Sequence, residues 1–218
     1  MFDSNTIETL VDGILVTLRI TALAGLVGTV VAVVSGLAGL SPLRPVRWVN
    51  RIYVEVFRGT SAIIQLFWAF FALPLLGIEL APTETAVYAL GLNMGAYGSE
   101  VVRGAVVSVP RGQYEAAIAL SVAPWKRMAW IVFPQAIPSM LPPYGNLAIE
   151  VLKATALVGF ITAPDFFLEG QKLRNAGAIS TQELYLTMLI GYFVIAQAIA
   201  AGVRVAEGMA TRGLEGRG

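Results

Sequence analysis

Long uncharged stretches separated by short charged segments dominate this chain. Ile20 to Leu40 is one such stretch, and it extends back through Arg19 towards Leu10. Gly59 to Ile78 is a second. A third runs from about Pro82 to Ser108 and meets Glu100 and Arg103 near its end. A fourth begins near Pro142 and reaches about Thr162, crossing Glu150 and Lys153, and a fifth is Leu184 to Val203. A helix crosses a hydrocarbon core of about 30 Å with roughly 20 apolar residues, because its backbone groups are satisfied internally. The pattern predicts an all-α, polytopic membrane protein with about five transmembrane helices in a single domain, residues 1–218.

Composition strengthens this reading and removes many chemistries. Of 218 residues, 56% are hydrophobic and 13% charged, whereas a soluble domain carries about 25% charged residues. The chain has no Cys and no His. Disulfide frameworks, thiol nucleophiles and His-based acid–base or metal chemistry are therefore excluded. The net charge of +1 implies no bulk attraction to nucleic acid. Met1-Phe2-Asp3 is not basic and the first apolar run is too long for a signal-peptide core, so no cleaved signal is expected.

The charges are sorted by side. With five spans, Arg44, Arg47, Arg51, Arg58, Arg103, Arg111, Lys126, Arg127, Arg204, Arg212 and Arg217 fall on one side. Only Lys172 and Arg174 fall on the other, beside Asp3, Glu8, Asp12, Glu79, Glu84, Asp165, Glu169 and Glu183. Basic loops stay cytoplasmic, so the N-terminus is expected outside and the C-terminus in the cytoplasm. The cytoplasmic segments are then Ser41 to Arg58, Val106 to Pro134 and the C-terminal tail. Arg19 lies within a span and is expected to snorkel outward. Three acid–base pairs recur at i,i+3, namely Glu55 with Arg58, Glu100 with Arg103 and Glu150 with Lys153, and each can be neutralised locally on one helix face.

The longest cytoplasmic loop, about residues 111–134, is the most informative segment. Gln113 to Leu120 are good helix formers, and Ala123-Pro124 breaks that helix before a second short one reaches about Ile131. The arrangement predicts a compact knob exposing Tyr114, Ala116, Ala117 and Leu120, suited to a partner's groove. The alternative is an amphipathic helix lying on the lipid.

Glu115-Ala116-Ala117, Ser121, Ile131 and Pro134 together resemble the EAA loop (E-A-A-x3-G-x9-I-x-L-P) of permease subunits in bacterial ABC importers. Ser121 stands where that pattern has Gly, and Phe133 where it has Leu. Phe57-Arg58-Gly59-Thr60, Gly95-Ala96-Tyr97, Glu100-Val101-Val102-Arg103-Gly104-Ala105, Pro134-Gln135-Ala136 and Leu152-Lys153-Ala154-Thr155 extend the likeness. They resemble the polar amino-acid branch, which is histidine/glutamine/arginine permease-like. Val54-Glu55 with Phe57 to Ser61, and Gln65-Leu66-Phe67-Trp68, look most like ectoine and hydroxyectoine permeases. The resemblance implies a type I ABC importer transmembrane fold in a bacterial inner membrane. It implies as partners two cytoplasmic ATP-binding subunits, a second permease (a sister chain, making a heterodimer) and an extracytoplasmic solute-binding protein. Glu115, Ala116, Ala117, Leu120 and Ser121 would couple to the ATP-binding subunit, with Glu115 orienting the loop through hydrogen bonds. No cofactor is expected in this chain, and it has no G-x-x-x-x-G-K-[ST] phosphate loop.

Ionisable residues at membrane depth are functional candidates. Glu150 and Lys153 could meet a zwitterionic solute, or pair with each other or with a second permease. Asn146, Gln65, Asn93, Glu100 and Arg103 complete the candidate path, the amides either lining it or knitting helices together. Phe67, Trp68, Phe70 and Phe71 could cage a compact cation, or simply pack. Two other functional classes stay open: an ATP-independent channel or scaffold, and a membrane enzyme using paired carboxylates or a Ser–Lys dyad.

Overall fold

A computed structural model of the chain describes residues 3–215, with side chains described through Ala210. Arg217 and the Arg212 side chain, both counted above with the cytoplasmic bases, lie outside that range. The described residues form helices and connecting turns: α1 (Ser4–Gly39), α2 (Arg44–Gly59), α3 (Ala62–Phe67), α4 (Pro82–Ser108), α5 (Arg111–Ala119), α6 (Pro124–Arg127), α7 (Phe133–Thr155), α8 (Phe166–Asn175) and α9 (Thr181–Glu215). A π turn at Trp68–Ala72 and a 3-10 turn at Leu73–Leu76 prolong α3, and a π turn at Met128–Val132 joins α6 to α7.

α4 is the centre of the bundle, packed by α1, α2, α3 and α7. Its close partner α1 runs in the same direction. Ala24 and Val27 lie against Gly91, Val31 against Gly95, Ala32 against Gly98, and Gly36 against Val102. A Cβ added to Gly95 would stand 2.6 Å from Val31 Cγ1, and one on Gly98 would stand 2.8 Å from Ala32 Cβ. The spacing Gly91-x-x-x-Gly95 on α4 and Gly28-x-x-x-Ala32-x-x-x-Gly36 on α1 is the small-residue stripe that lets membrane helices approach closely. α7 returns against the direction of α4. Its start (Val132, Ala136, Met140) packs near Val102, Ala105 and Val106, and its later residues (Leu147, Val151) pack near Ala86 and Leu90. α9 then runs back beside α7, bringing Val203 against Gly145. Thus α5 and the last turns of α1 and α4 gather at one end of the bundle, and α8 with the start of α9 at the other.

By length and composition α1 and α9 are apolar enough to cross a membrane alone, and α2 with α3, bent by 107°, can form a third, broken span. α4 and α7, of 27 and 23 residues, are long enough but less apolar. α4 is solvated largely by neighbouring helices rather than by lipid, which permits its glycines and polar groups.

Two expected boundaries are corrected. Residues 44–59, expected in a loop ahead of a stretch starting at Gly59, instead form the helix α2 packed beside α4. Tyr53 donates a hydrogen bond to the Leu92 carbonyl at 2.6 Å, and Asn93 Nδ2 donates to the Phe57 carbonyl at 3.3 Å, both midway along α4. The helical stretch expected to begin near Pro142 begins at Pro124 and runs through α6 and the π turn into α7. Pro138, Pro142 and Pro143 all lie inside α7, where packing holds the helix through positions that lack a backbone donor.

Candidate functional site

α5 sits on the turn between α4 and α6, and its shape is set by its C-terminus. The Val122 N–H donates to the Ala117 carbonyl at 3.0 Å and the Ser121 N–H to the Ile118 carbonyl at 2.8 Å. This crossed pair is the Schellman closure, which needs a left-handed residue. Ser121 supplies it with φ 54°, accepting the strain that glycine avoids. Tyr114 and Ala117, three residues apart, form the inward face. Tyr114 packs with Val109, Met128 and Val132, and Ala117 is 2% exposed. Gln135 Nε2 donates to Gln113 Oε1 at 3.3 Å and ties α5 to α7. The outward face is Glu115, Ala116, Ile118 and Leu120, the last 77% exposed. The exposed knob therefore includes Ala116 and Leu120 as expected, gains Ile118, and loses Ala117 and half of Tyr114. Among the described residues the Glu115 side chain makes no hydrogen bond. Beside α5, Lys126 Nζ stands 5.5 and 5.4 Å from the ring centres of Trp125 and Trp130. Both rings are exposed, an arrangement suited to the membrane–water boundary.

A second feature is a cleft of about 870 Å³ between α2 and the last turns of α1 and α4. The arginines of α2 recur at positions 44, 47, 51 and 58, so one helix face is guanidinium and the opposite face is Val46, Val49, Ile52 and Val56. Across the cleft stand Glu100 and Arg103. Arg103 Nη2 meets Glu100 Oε2 at 2.6 Å, and Arg51 Nε meets Glu55 Oε1 at 2.6 Å. Of the three expected i,i+3 pairs, only Glu100–Arg103 forms. Glu55 turns back one helical turn to Arg51, and Arg58 lies over the Tyr97 ring at 5.4 Å. Glu150 and Lys153 are both exposed on α7 and form no ion pair among the described residues.

The path candidates fall into three separate groups. Glu100 and Arg103 line the arginine cleft. Gln65 and Asn93 bond to each other at 3.0 Å, and Gln65 Nε2 also donates to the Phe57 carbonyl at 2.8 Å and to Thr60 Oγ1 at 2.7 Å. These two amides therefore knit the α2–α3 bend to α4. Asn146, Glu150 and Lys153 are spaced at i, i+4 and i+7 and form an exposed stripe on α7. Phe71 packs edgewise on Phe70 and tilted on Phe67, which in turn meets Phe160 edgewise, whereas exposed Trp68 borders a cavity of about 530 Å³ with Phe57 and Tyr88. Those rings form no cage around a shared centre.

Sequence reasoning passed over a buried carboxylate at the other end. Asp165 is 0% exposed and caps α8, accepting from the Leu168 and Phe167 N–H groups at 3.0 and 3.2 Å and from Tyr192 Oη at 3.4 Å. The neighbouring Phe166 N–H donates to Thr17 Oγ1 on α1 at 3.1 Å. Burial pushes the Asp165 carboxyl above its usual range, and the three hydrogen bonds oppose that shift. An Asp directly before Phe-Phe-Leu is a readable helix start, but nothing local reveals that three helices enclose it.

Residues 24–208 match the family described as "Binding-protein-dependent transport system inner membrane component". A probable amino-acid ABC transporter permease protein, y4tF of Sinorhizobium fredii, is 45% identical over 167 residues, which is 74% of this chain and 70% of that protein. The glutamine transport system permease protein GlnP of Escherichia coli is 31% identical over 191 residues, 87% of each. Among solved structures, an amino acid ABC transporter crystallised with histidines superposes with TM-score 0.84 at 28% identity, covering 93% of this chain and 94% of that one. An inward-facing MetNI methionine ABC transporter superposes with TM-score 0.82 at 20% identity, covering 96% and 99%, a likeness of fold.

Proposed function

This chain belongs to the family of inner membrane components of binding-protein-dependent transport systems, and from that premise we propose that it carries a small zwitterionic solute inward, driven by ATP hydrolysis in a partner. It is an ABC importer permease subunit and not an enzyme. The solute class in this reading is a polar amino acid or an ectoine-type compatible solute. Relatives named for glutamine, arginine and L-cystine transport support an amino acid, and the Phe57 to Trp68 segment supports the ectoine-type alternative.

The single observation that carries coupling is the exposed α5 with its Schellman turn at Ser121. It presents Glu115, Ala116, Ile118 and Leu120 from a base fixed by Tyr114 and Ala117. ATP-driven closure of two cytoplasmic subunits would move α5, and α4 and α7 on either side would follow as packed bodies. The end carrying α5 then faces the cytoplasm, with the start of α1 outside and the end of α9 inside. A sister permease would cover the exposed Asn146, Glu150 and Lys153 stripe and complete the path. Neither a channel nor a scaffold needs a rigid knob with an apolar tip.

Leu120→Asp tests this reading, because Leu120 is exposed and its replacement leaves folding intact. Co-expressed with its ATP-binding subunit and the second permease, the variant should lose co-purification of the ATP-binding subunit while its own melting temperature stays unchanged. Undiminished co-purification together with solute-stimulated ATPase activity would overturn the assignment of α5.

A further inference from the structure

The first turn of α2 lies between two hollows of opposite character. On one side is the arginine cleft. Its two carboxylates are already engaged, Glu55 by Arg51 and Glu100 by Arg103, and Arg58 covers Tyr97. Arg44 and Arg47 have no carboxylate partner among the described residues. Arg47 spends one Nη1 bond on the Ser41 carbonyl at 2.6 Å, which fixes its guanidinium and leaves its remaining donors. Two guanidinium groups three residues apart match the oxygens of a phosphate, which they bind in forked pairs.

On the other side, between α1 and α2, runs a groove of about 680 Å³ whose walls are almost wholly apolar. Val30, Val34 and Val49 line it and are 57%, 64% and 63% exposed, so it opens outward along the helices. The cleft and the groove meet at Pro45 and Asn50, which line both. Asn50 is held there by Ser35, whose Oγ donates to Asn50 Oδ1 at 2.6 Å.

We propose that these two hollows form one site for an anionic phospholipid, its phosphate held by Arg44 and Arg47 and an acyl chain laid between α1 and α2. A small anion would leave the groove empty, and a neutral lipid would leave two guanidinium groups uncompensated. An anionic amphiphile fills both. Charge complementarity places its headgroup, and burial of methylenes in the groove holds the acyl chain. Basic pockets between membrane helices bind anionic headgroups in this way. The site lies at the same end of the bundle as α5 but apart from its outward face, and it requires only that the chain reside in a membrane.

The test is native mass spectrometry of the purified full-length chain in neutral detergent, with phosphatidylglycerol and phosphatidylcholine added at equal concentration. The wild type should retain phosphatidylglycerol with about thirtyfold preference, since each of the two arginines near a membrane surface contributes about 1 kcal/mol. Arg44→Gln with Arg47→Gln should bring the preference close to one. Val34→Trp, which fills the groove without altering charge, should weaken retention of the lipid. Lys172→Gln with Arg174→Gln, at the opposite end, should change neither. Excess glycerol 3-phosphate should not displace the lipid. Equal loss of preference in both double variants would reduce the effect to diffuse charge and overturn the site. Displacement by glycerol 3-phosphate would make it a free-phosphate site and overturn the role of the groove. Dimer peaks in place of lipid adducts, lost on Val34→Trp, would assign the groove to a second copy and overturn the lipid.

Discussion

α1 meets α4 and α2 in opposite ways. Towards α4 it turns Ala24, Gly28, Ala32 and Gly36, and the helices approach until an added Cβ on either side would collide at 2.6–3.0 Å. Towards α2 it turns Val30, Val34 and Ala38, and a groove of about 680 Å³ remains, bridged by the Ser35–Asn50 bond. Neither face carries a charge. Side-chain size differs, and size sets how closely helices approach where lipid offers no hydrophobic drive between them. A dry, tight seam and an occupiable groove thus arise on one helix from small against β-branched residues.

Breaking the tight seam should have the largest effect. Gly95→Leu forces a side chain into Val31, and overpacking of this kind costs about 1–3 kcal/mol or more where the backbone cannot yield. The melting temperature of the purified chain in detergent should fall sharply. Gly104→Leu, with nothing within 4 Å of its Cβ position, should leave it nearly unchanged. An equal response from the two would mean the seam is not close-packed.

A second contact of α1 tests whether closeness alone suffices. At Gly13 and Thr17 it abuts Phe166, beside buried Asp165. Asp165→Ala removes an acceptor from three donors, two of them backbone, and should cost about 1–3 kcal/mol, with Asp165→Asn recovering part. Its raised carboxyl pKa means that the folded state binds this proton more tightly than the unfolded state. The Asp165 contribution is therefore most favourable below the usual carboxylate range and is lost as pH rises through the folded value. Acidification should therefore widen the margin by which wild type exceeds the non-titrating Asp165→Asn, as read from melting curves across pH.

Where backbone conformation rather than packing sets the shape, effects should be smaller and opposite in sign. Ser121→Gly removes left-handed strain and should stabilise the chain by about 1 kcal/mol, visible as a higher melting temperature with the α5 partner still bound. The smallest effect belongs to the open side of α2. Arg51 and Glu55 are 77% and 64% exposed, so Arg51→Gln should change stability by less than about 0.5 kcal/mol.

Much of this was readable beforehand. The α5 helix and the break at Ala123-Pro124 follow from propensity, and the left-handed burden on Ser121 was implied only by the glycine that the EAA pattern has at that position. The ends of α4 and most of α9 follow from uncharged length. The row Arg44, Arg47, Arg51 and Arg58 was legible as an amphipathic period, yet counting uncharged windows placed it in a loop. Pro142 was read as a start because proline breaks isolated helices, and α7 runs through it because its neighbours supply the packing. Gln65 and Asn93 lie 28 residues apart and were each readable only as polar groups in an apolar run. Their partnership is a product of the α2–α3 bend.

Sequence alone determined that this chain lives in a membrane, performs no His or Cys chemistry, sorts its basic residues to one end and displays a short helix between two spans. These properties are local or compositional, so no knowledge of neighbours was needed. Only the tertiary structure decided which pairs form among the charges, that Ala117 supports the knob instead of tipping it, and that α2 stands between an arginine cleft and an apolar groove. Those outcomes depend on which helix faces which and at what distance, and that distance is set by side-chain volumes on two helices at once.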